Sequence, residues 1–297
     1  MLGSHAAKPA ASYAEAIARA RAFQALDDDS IAEYARTKLL DHGERRPFAV
    51  VLLHGLTNNP NQYVKLAPEV FALGANVFVP RLPEHGDKDR LTKRIANLTA
   101  EALVASASEA IDIACGLGEQ VVVTGISLGG ILSAYLGQYR DDVHTAVPIA
   151  PEFALLQLPH GVTKALAKLM SWLPNMFLWW DPRVRDGVRP VTAYPWFSTR
   201  ALMQTIRIAD DVYSAAHGEP CKATRIASVV NSTDPAVNNT VTREVVSAWK
   251  RARANGIEYV ELRSLPENHD IIDPENPLAR VDIVYPKLIE ILGITGT

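Results

Sequence analysis

Cysteine is scarce in this sequence, and its scarcity excludes a fold held together by disulfide bonds. The 297 residues include two cysteines, Cys115 and Cys221, which lie far apart along the chain. Disulfide frameworks are typical of small secreted domains, whereas a chain of this length buries enough apolar surface to be stable without them. We therefore expect a large hydrophobic core.

Long apolar runs and a strong net charge are absent as well. No stretch reaches the roughly 18 apolar residues that a membrane-spanning helix needs, and the first residues lack the apolar segment of a signal peptide. The net charge is −3, so no broad basic surface is available for a phosphate backbone. The sequence predicts a cytoplasmic protein without stable membrane insertion or nucleic acid binding, and it leaves the oligomeric state open.

Short apolar runs alternate with helical patterns along most of the chain. The runs predict strands at 49–53, 76–79, 120–124, 145–149, 225–230 and 257–262. The helical patterns lie at 11–26, 62–73, 99–117, 128–139, 241–254 and 278–292. Repeated strand–helix–strand units predict the α/β class, with a mostly parallel central sheet flanked by helices.

The alternation stops between residues 151 and 219, where tryptophan, proline and methionine are concentrated and no strand pattern is visible. We interpret this segment as a mainly helical insertion that forms a cap over the core. The core would comprise residues 31–150 and 220–297, preceded by an N-terminal helical extension over residues 1–30. Four arginines in the insertion are interpreted as solvated surface: Arg183, Arg185, Arg189 and Arg200.

One motif indicates nucleophilic catalysis by a serine. Gly125-Ile126-Ser127-Leu128-Gly129 follows a buried strand pattern and opens a helical one. In such a G-x-S-x-G turn the glycines permit a tight backbone that exposes the serine hydroxyl. The backbone N–H of Leu128, at the start of the helix, would stabilise a developing oxyanion. Ser127 is thus the predicted nucleophile, and the alternative is a plain glycine-rich turn.

A serine nucleophile needs a base, and the base needs an acid that orients it. Both are expected on loops after later strands. Asp234 follows the predicted strand 225–230, and His269 follows the strand 257–262. Asp270 and Asp273 are rival acids, but they are too near His269 in sequence to come from a separate strand end. The predicted triad is Ser127, Asp234 and His269.

A second oxyanion donor is expected in the loop His54-Gly55-Leu56-Thr57, which follows the strand 49–53. The backbone N–H of Leu56 is our candidate. The imidazole of His54 is expected to brace this loop, since His269 already supplies the base.

These residues resemble the α/β-hydrolase superfamily and, within it, the capped carboxylesterase and monoacylglycerol-lipase-like serine hydrolases. The similarity spans roughly residues 47–292. It rests on the triad residues and three segments: Leu53-His-Gly-Leu-Thr57, Val79-Pro-Arg-Leu-Pro-Glu-His-Gly86 and the serine turn. The resemblance implies an α/β-hydrolase fold with a cap over the triad, and neither a metal nor an organic cofactor. Two residues depart from the family's usual pattern: Glu84 replaces a glycine, and Leu56 replaces a phenylalanine at the expected acyl pocket.

The activity implied is hydrolysis of a small-molecule carboxylic ester with a short- to medium-chain acyl group. The apolar stretch from Met170 to Trp180 suits the lining of an acyl pocket, although the same side chains would also serve to pack the cap onto the core. Acyltransferases, thioesterases and hydrolases of other bonds use the same triad, and the fold also occurs in non-catalytic ligand-binding proteins. The sequence leaves these alternatives open.

Overall fold

The computed structural model describes residues 2, 6–156, 158–180 and 191–294. Within them the strands, β1 to β9 in chain order, are Lys38–Leu40, Arg46–Leu53, Asn76–Val79, Gly118–Ile126, Val143–Ile149, Phe177–Trp179, Trp196–Ser198, Arg225–Asn231 and Ile257–Leu262. The α-helices, α1 to α8, are Tyr13–Gln24, Leu66–Ala72, Ala100–Leu117, Leu128–Tyr139, His160–Met170, Thr199–Gly218, Asn239–Ala252 and Val281–Leu292. Short 3-10 helices lie at Glu33–Ala35, Pro60–Tyr63 and Arg94–Asn97.

A sheet with the strand order β1-β3-β2-β4-β5-β8-β9 organises the described residues. Strand β1 is antiparallel to β3, and every other neighbouring pair is parallel. The carboxyl ends of β2, β4, β5, β8 and β9 therefore share one edge, where open α/β sheets place their sites. The predicted α/β class with a mostly parallel sheet is confirmed.

The side chains of β2 show why this sheet is buried on both faces. Val51 and Leu53 belong to one hydrophobic cluster, which includes residues of α3 and α4, whereas Val50 and Leu52 belong to another, which includes residues of α2 and α8. This division follows from the two-residue period of a strand. Each such buried side chain contributes roughly 1.5–3 kcal/mol to folding, so the sheet edge is a rigid platform.

Helix α4 is buried around its whole circumference, from Leu128 to Gln138. A helix that is apolar on all sides belongs in a core. The Ser133 hydroxyl donates to the Gly129 carbonyl at 2.8 Å, which satisfies a polar group inside the helix. The first turn of α4 is therefore fixed against the sheet.

Strands β1, β6 and β7 lie outside the strands predicted from the sequence. Each is three residues long, too short to show an alternating pattern. Strands β6 and β7 pair antiparallel, with Trp179 opposite Trp196, within the insertion. The helix predicted at 62–73 is instead divided, because a proline and the capping side chain of Asn59 begin a 3-10 turn before α2.

The N-terminal helix α1 packs against α3 through Ala16, Ala20 and Phe23. A Cβ at Gly116 of α3 would lie 2.6 Å from the Ser12 carbonyl oxygen, so glycine permits this close approach. The division of the chain into extension, core and cap stays a prediction. None of the described helices is long and apolar enough to cross a bilayer. Three of the predicted surface arginines lie outside the described residues: Arg183, Arg185 and Arg189.

Candidate active site

Ser127 lies between the end of β4 and the start of α4, in a strained conformation with φ 57° and ψ −114°. Such values are unfavourable for a residue with a side chain and persist only where the surroundings impose them. Here the Ser127 N–H donates to the Ile149 carbonyl of the neighbouring strand β5 at 3.0 Å. The turn therefore holds Ser127 at the edge of the sheet.

The glycines on either side of Ser127 are required by close backbone approach. A Cβ at Gly125 would lie 2.5 Å from the backbone of Gly129, and a Cβ at Gly129 would lie 1.9 Å from the Leu53 carbonyl oxygen. Any larger residue at position 129 would push α4 away from the end of β2. The motif thus sets the spacing between the serine turn and the loop after β2.

His269 and Asp234 meet at the same edge. They follow β9 and β8, which are parallel neighbours with Asn231 opposite Leu262. His269 Nδ1 lies 2.8 Å from Asp234 Oδ2, and the Asp234 side chain is fully buried. Its other oxygen accepts the N–H groups of Ala236 and Val237 at 2.8 and 3.3 Å. The carboxylate is therefore fixed, and it holds the proton on Nδ1 so that Nε2 is left to accept one.

The charges around His269 favour its protonated form. Burial lowers the pKa of the imidazole, but the carboxylates of Asp234, Asp270 and Glu152 outweigh this effect and leave the pKa raised. The side chains of Ser127 and His269, both within the described residues, are not hydrogen-bonded to each other in this structure. Catalytic hydrogen bonds often tighten only when substrate binds.

The loop after β2 lies directly against Ser127. A Cβ at Gly55 would be 3.7 Å from Ser127 Cβ. The Asn58 N–H donates to the Gly55 carbonyl at 3.1 Å, which closes a turn around Leu56, and Thr57 has a φ of 69°. The Leu128 N–H occupies the first position of α4, where a helix offers no acceptor of its own. Both predicted oxyanion donors thus belong to segments that flank the serine.

Comparison with known proteins identifies the family of this chain. A sequence model described as the alpha/beta hydrolase family matches residues 50–280, which include Ser127, Asp234 and His269. The chain belongs to the alpha/beta hydrolase family. This match confirms the predicted α/β-hydrolase fold.

Relatives of this family member are named as lipases. A thermostable monoacylglycerol lipase of Bacillus sp. (strain H-257) is 26% identical over 229 residues, which are 75% of this chain and 84% of the relative. The monoacylglycerol lipase of Paleococcus ferrophilus superposes with a TM-score of 0.67 at 18% identity, covering 88% of this chain and 98% of the other. A soluble variant of the Saccharomyces cerevisiae monoglyceride lipase gives 0.67 at 12% identity, covering 87% and 91%. The resemblance to lipase-like members is confirmed.

In this family member His54 braces the loop after β2, the role predicted for it. The ring is fully buried, its Nδ1 lies 2.9 Å from the Gly55 carbonyl oxygen, and its Nε2 accepts the Leu82 N–H at 3.0 Å. Burial and the neighbouring His85 hold the pKa of His54 well below its usual range. A neutral ring with both nitrogens engaged is a structural tie between β2 and the loop after β3.

Gln62 is a residue of the site that the sequence does not reveal. Its side-chain oxygen accepts the Gly55 N–H at 3.0 Å, and its Nε2 donates to Asp270 Oδ2 at 2.7 Å. Gln62 therefore connects the loop after β2, which carries the predicted oxyanion donor Leu56, to Asp270, the residue next to His269. The carboxylate that contacts the imidazole Nδ1 is that of Asp234, whereas the rival Asp270 faces this bridge.

Asp273, the other rival acid, is buried beside the same bridge. Asn58 Nδ2 donates to Asp273 Oδ2 at 3.3 Å, and the backbone N–H of Glu275 donates to Asp273 Oδ1 at 2.9 Å. Burial and the nearby Asp270 carboxylate raise the pKa of Asp273 to about 7. Asp270 and Glu275 are close to Asp273 in sequence, whereas Asn58 reaches it from 215 residues away.

Residues of the predicted insertion contact the loop after β2 at Thr57. Trp180 Nε1 donates to Thr57 Oγ1 at 2.8 Å, and the Tyr194 N–H donates to the Thr57 carbonyl at 2.8 Å. The Trp180 and Phe197 rings lie 4.3 Å apart. Trp180 and Phe197 therefore form an aromatic wall beside Thr57. Not all of the apolar stretch packs in this way, since Trp172 is 81% exposed.

Proposed function

We propose that this chain is a carboxylic ester hydrolase that acts through an acyl-enzyme on Ser127. The observation that carries the proposal is the buried Asp234 carboxylate 2.8 Å from His269 Nδ1, at the sheet edge that also holds Ser127 in its strained turn. Membership of the alpha/beta hydrolase family and the similarity to named lipases support it. No metal-ligand cluster of three or more residues occurs in the described part of the chain.

The proposed cycle begins when His269 Nε2 accepts the Ser127 proton and the oxygen attacks the ester carbonyl. The Leu56 and Leu128 N–H groups bind the oxyanion, and each such donor contributes roughly 2.7–4 kcal/mol to transition-state stabilisation. The imidazolium then donates its proton to the leaving alcohol, which departs. A water activated by His269 releases the acid, and Asp234 stabilises the charged imidazole at both stages.

The substrate class is an ester with a short- to medium-chain acyl group. The aromatic wall beside Thr57, formed by Trp180 and Phe197, gives the oxyanion loop an apolar neighbour suited to an acyl chain. Monoacylglycerols, for which the relatives are named, are candidates within this class.

A panel of p-nitrophenyl esters of rising chain length tests the reaction and its acyl preference together. We expect turnover that is greatest for short to medium chains. Ser127→Ala should lower kcat by roughly 10⁶-fold, because the nucleophile and the base act as one unit. Its thermal unfolding should match the wild type.

Fluorophosphonate labelling is the complementary measurement, since it reports the nucleophile without turnover. We expect one label per chain in the wild type and none in Ser127→Ala. A Ser127→Ala variant that is fully active, or a wild type inert on every ester, contradicts the proposal.

A further inference from the structure

Thr57 is a strained residue next to the predicted oxyanion donor Leu56. Its φ of 69° lies in the left-handed region, which is unfavourable for a β-branched side chain. Such a conformation persists only where the surroundings impose it. Thr57 is 5% exposed, so its surroundings are other residues of the chain. The contacts that hold Thr57 in this conformation therefore also set the direction of the backbone at Leu56.

The loop after β2 supplies one restraint of its own. The Asn58 N–H donates to the Gly55 carbonyl at 3.1 Å and closes the turn, and Asn58 Nδ2 is held by Asp273 Oδ2 at 3.3 Å. Neither bond involves the hydroxyl or the carbonyl of Thr57. Both of these groups are bound from outside the loop.

Both bonds come from the predicted insertion. Trp180 Nε1 donates to the Thr57 hydroxyl oxygen and the Tyr194 N–H donates to the Thr57 carbonyl, each at 2.8 Å. These distances lie at the short end of the usual range for N–H donors. Trp180 directly follows β6, and Tyr194 lies two residues before β7. Because the Trp180 N–H donates to the Pro195 carbonyl at 3.1 Å, the two donors belong to one small antiparallel unit.

This unit has further contacts that do not involve Thr57. The Tyr194 hydroxyl accepts the Asp87 N–H at 2.8 Å, in the loop after β3, and the Tyr194 side chain is buried. The Trp180 and Phe197 rings lie 4.3 Å apart. Because the donors are fixed in these ways, their bonds restrain the strained Thr57 and do not merely follow its position.

We propose that Trp180 is a positioning residue for the oxyanion donor Leu56: through its bond to Thr57, the indole N–H keeps the loop after β2 in the orientation that binds the oxyanion. The inference rests on the proposed function. Lining of an acyl pocket depends on the apolar face of the indole ring, whereas positioning depends on its N–H. The two roles of Trp180 can therefore be separated by substitution.

The test compares wild type with Trp180→Phe on p-nitrophenyl acetate, butyrate and octanoate. Phenylalanine keeps an aromatic ring beside Phe197 but has no N–H. Loss of one hydrogen bond of ordinary net strength should lower kcat by roughly three- to tenfold on all three esters. The oxyanion forms in the transition state and not in the bound ester, so KM should stay within about twofold of wild type.

Tyr213→Phe is the matched control. The Tyr213 hydroxyl is also an aromatic donor that joins the predicted insertion to the core, at 3.2 Å from Glu244 Oε2, but this bond connects α6 with α7 and does not involve the loop after β2. Its loss should change neither kcat nor KM.

Thr57→Val removes the acceptor and keeps the shape of the side chain. It should lower kcat as Trp180→Phe does. The double variant should be no slower than Thr57→Val alone, because both substitutions remove the same bond. Trp180 is 51% exposed, so the Tm of Trp180→Phe should stay near that of wild type.

Three outcomes overturn the inference and leave the proposed function intact. The first is a folded Trp180→Phe enzyme with wild-type kcat. The second is a rise in KM confined to the longest ester, which indicates acyl lining alone. The third is a double variant whose loss is the product of the two single losses, which shows that Trp180 does not act through Thr57.

Should Trp180→Phe fail to fold, Thr57→Val gives the same test, and a wild-type kcat in that variant contradicts the inference equally. A wild type that lacks esterase activity overturns both proposals.

Discussion

Replacing Gly129 with alanine tests whether the serine turn sets the position of the oxyanion loop. The added Cβ would lie 1.9 Å from the Leu53 carbonyl oxygen and 2.9 Å from that of His54. Ordinary contact begins near 3.4 Å, so α4 and the end of β2 must separate by about 1.5 Å in a core packed at crystal density. Because His54, Gly55 and Leu56 are consecutive residues, this displacement also moves the Leu56 N–H, the proposed oxyanion donor.

The expected loss follows from that displacement. A misplacement of about 1 Å at a reacting centre costs on the order of 100-fold, and the loss of one oxyanion donor costs roughly 10²- to 10³-fold. We therefore expect kcat/KM of Gly129→Ala to fall by about 10²- to 10³-fold, most of it in kcat. Overpacking should also destabilise the fold by about 1–3 kcal/mol.

Steady-state kinetics on p-nitrophenyl butyrate and thermal unfolding measure the two effects separately. Gly137→Ala is the matched control in the same helix, because its Cβ would meet the Ala146 side chain at 2.9 Å, near the far end of α4. It should be destabilised yet keep nearly wild-type kcat. Gly161→Ala, with no atom within 4 Å, should change neither. A folded Gly129→Ala enzyme within threefold of wild-type kcat refutes the reasoning.

Three further variants probe the carboxylates and the bridge. Asp234→Asn should lower kcat by roughly 10⁴-fold, because an amide does not stabilise the His269 imidazolium; an unchanged kcat contradicts this. Gln62→Leu leaves the buried Gly55 N–H without its acceptor, at about 1–3 kcal/mol, and should lower Tm and kcat together; a change in Tm alone argues against a role in the oxyanion loop. The raised pKa of Asp273 favours its protonated form in the folded state, so its stabilising contribution is present below about pH 4 and is lost as the pH rises through about 7. The Tm of the wild type should therefore fall from pH 5 to pH 8 more than that of Asp273→Asn, and equal falls would contradict it.

The sequence predicts the serine turn well because its signal is local. The apolar run of β4, the two glycines and the helical pattern after Ser127 all lie within about twenty residues, and each has a direct backbone cause. Asp234 and His269 are predictable for a related reason, since each follows a strand whose pattern is clear.

Glu152 and Gln62 carry no such signal. The burial of Glu152 depends on Thr205, which lies 53 residues later, and the partner of Gln62 lies 208 residues away. A polar residue in a loop is usually exposed, so the sequence around Glu152 or Gln62 gives no reason to expect that the side chain is buried. Strands β6 and β7 escape prediction because three residues are too few to show a period.

Thr57 and Asn59 bear on how the insertion can be exchanged between relatives. Thr57 is bonded to Trp180 and Tyr194, and Asn59 Nδ2 donates to the Thr192 carbonyl at 2.8 Å. A chimaera that receives residues 151–219 from another enzyme keeps the core half of these bonds, but the incoming segment must present a side-chain donor in place of Trp180 and backbone groups in the positions of Thr192 and Tyr194. We therefore expect acyl preference and the placement of the proposed oxyanion donor Leu56 to change together, and a transplanted insertion to need a matching loop after β2.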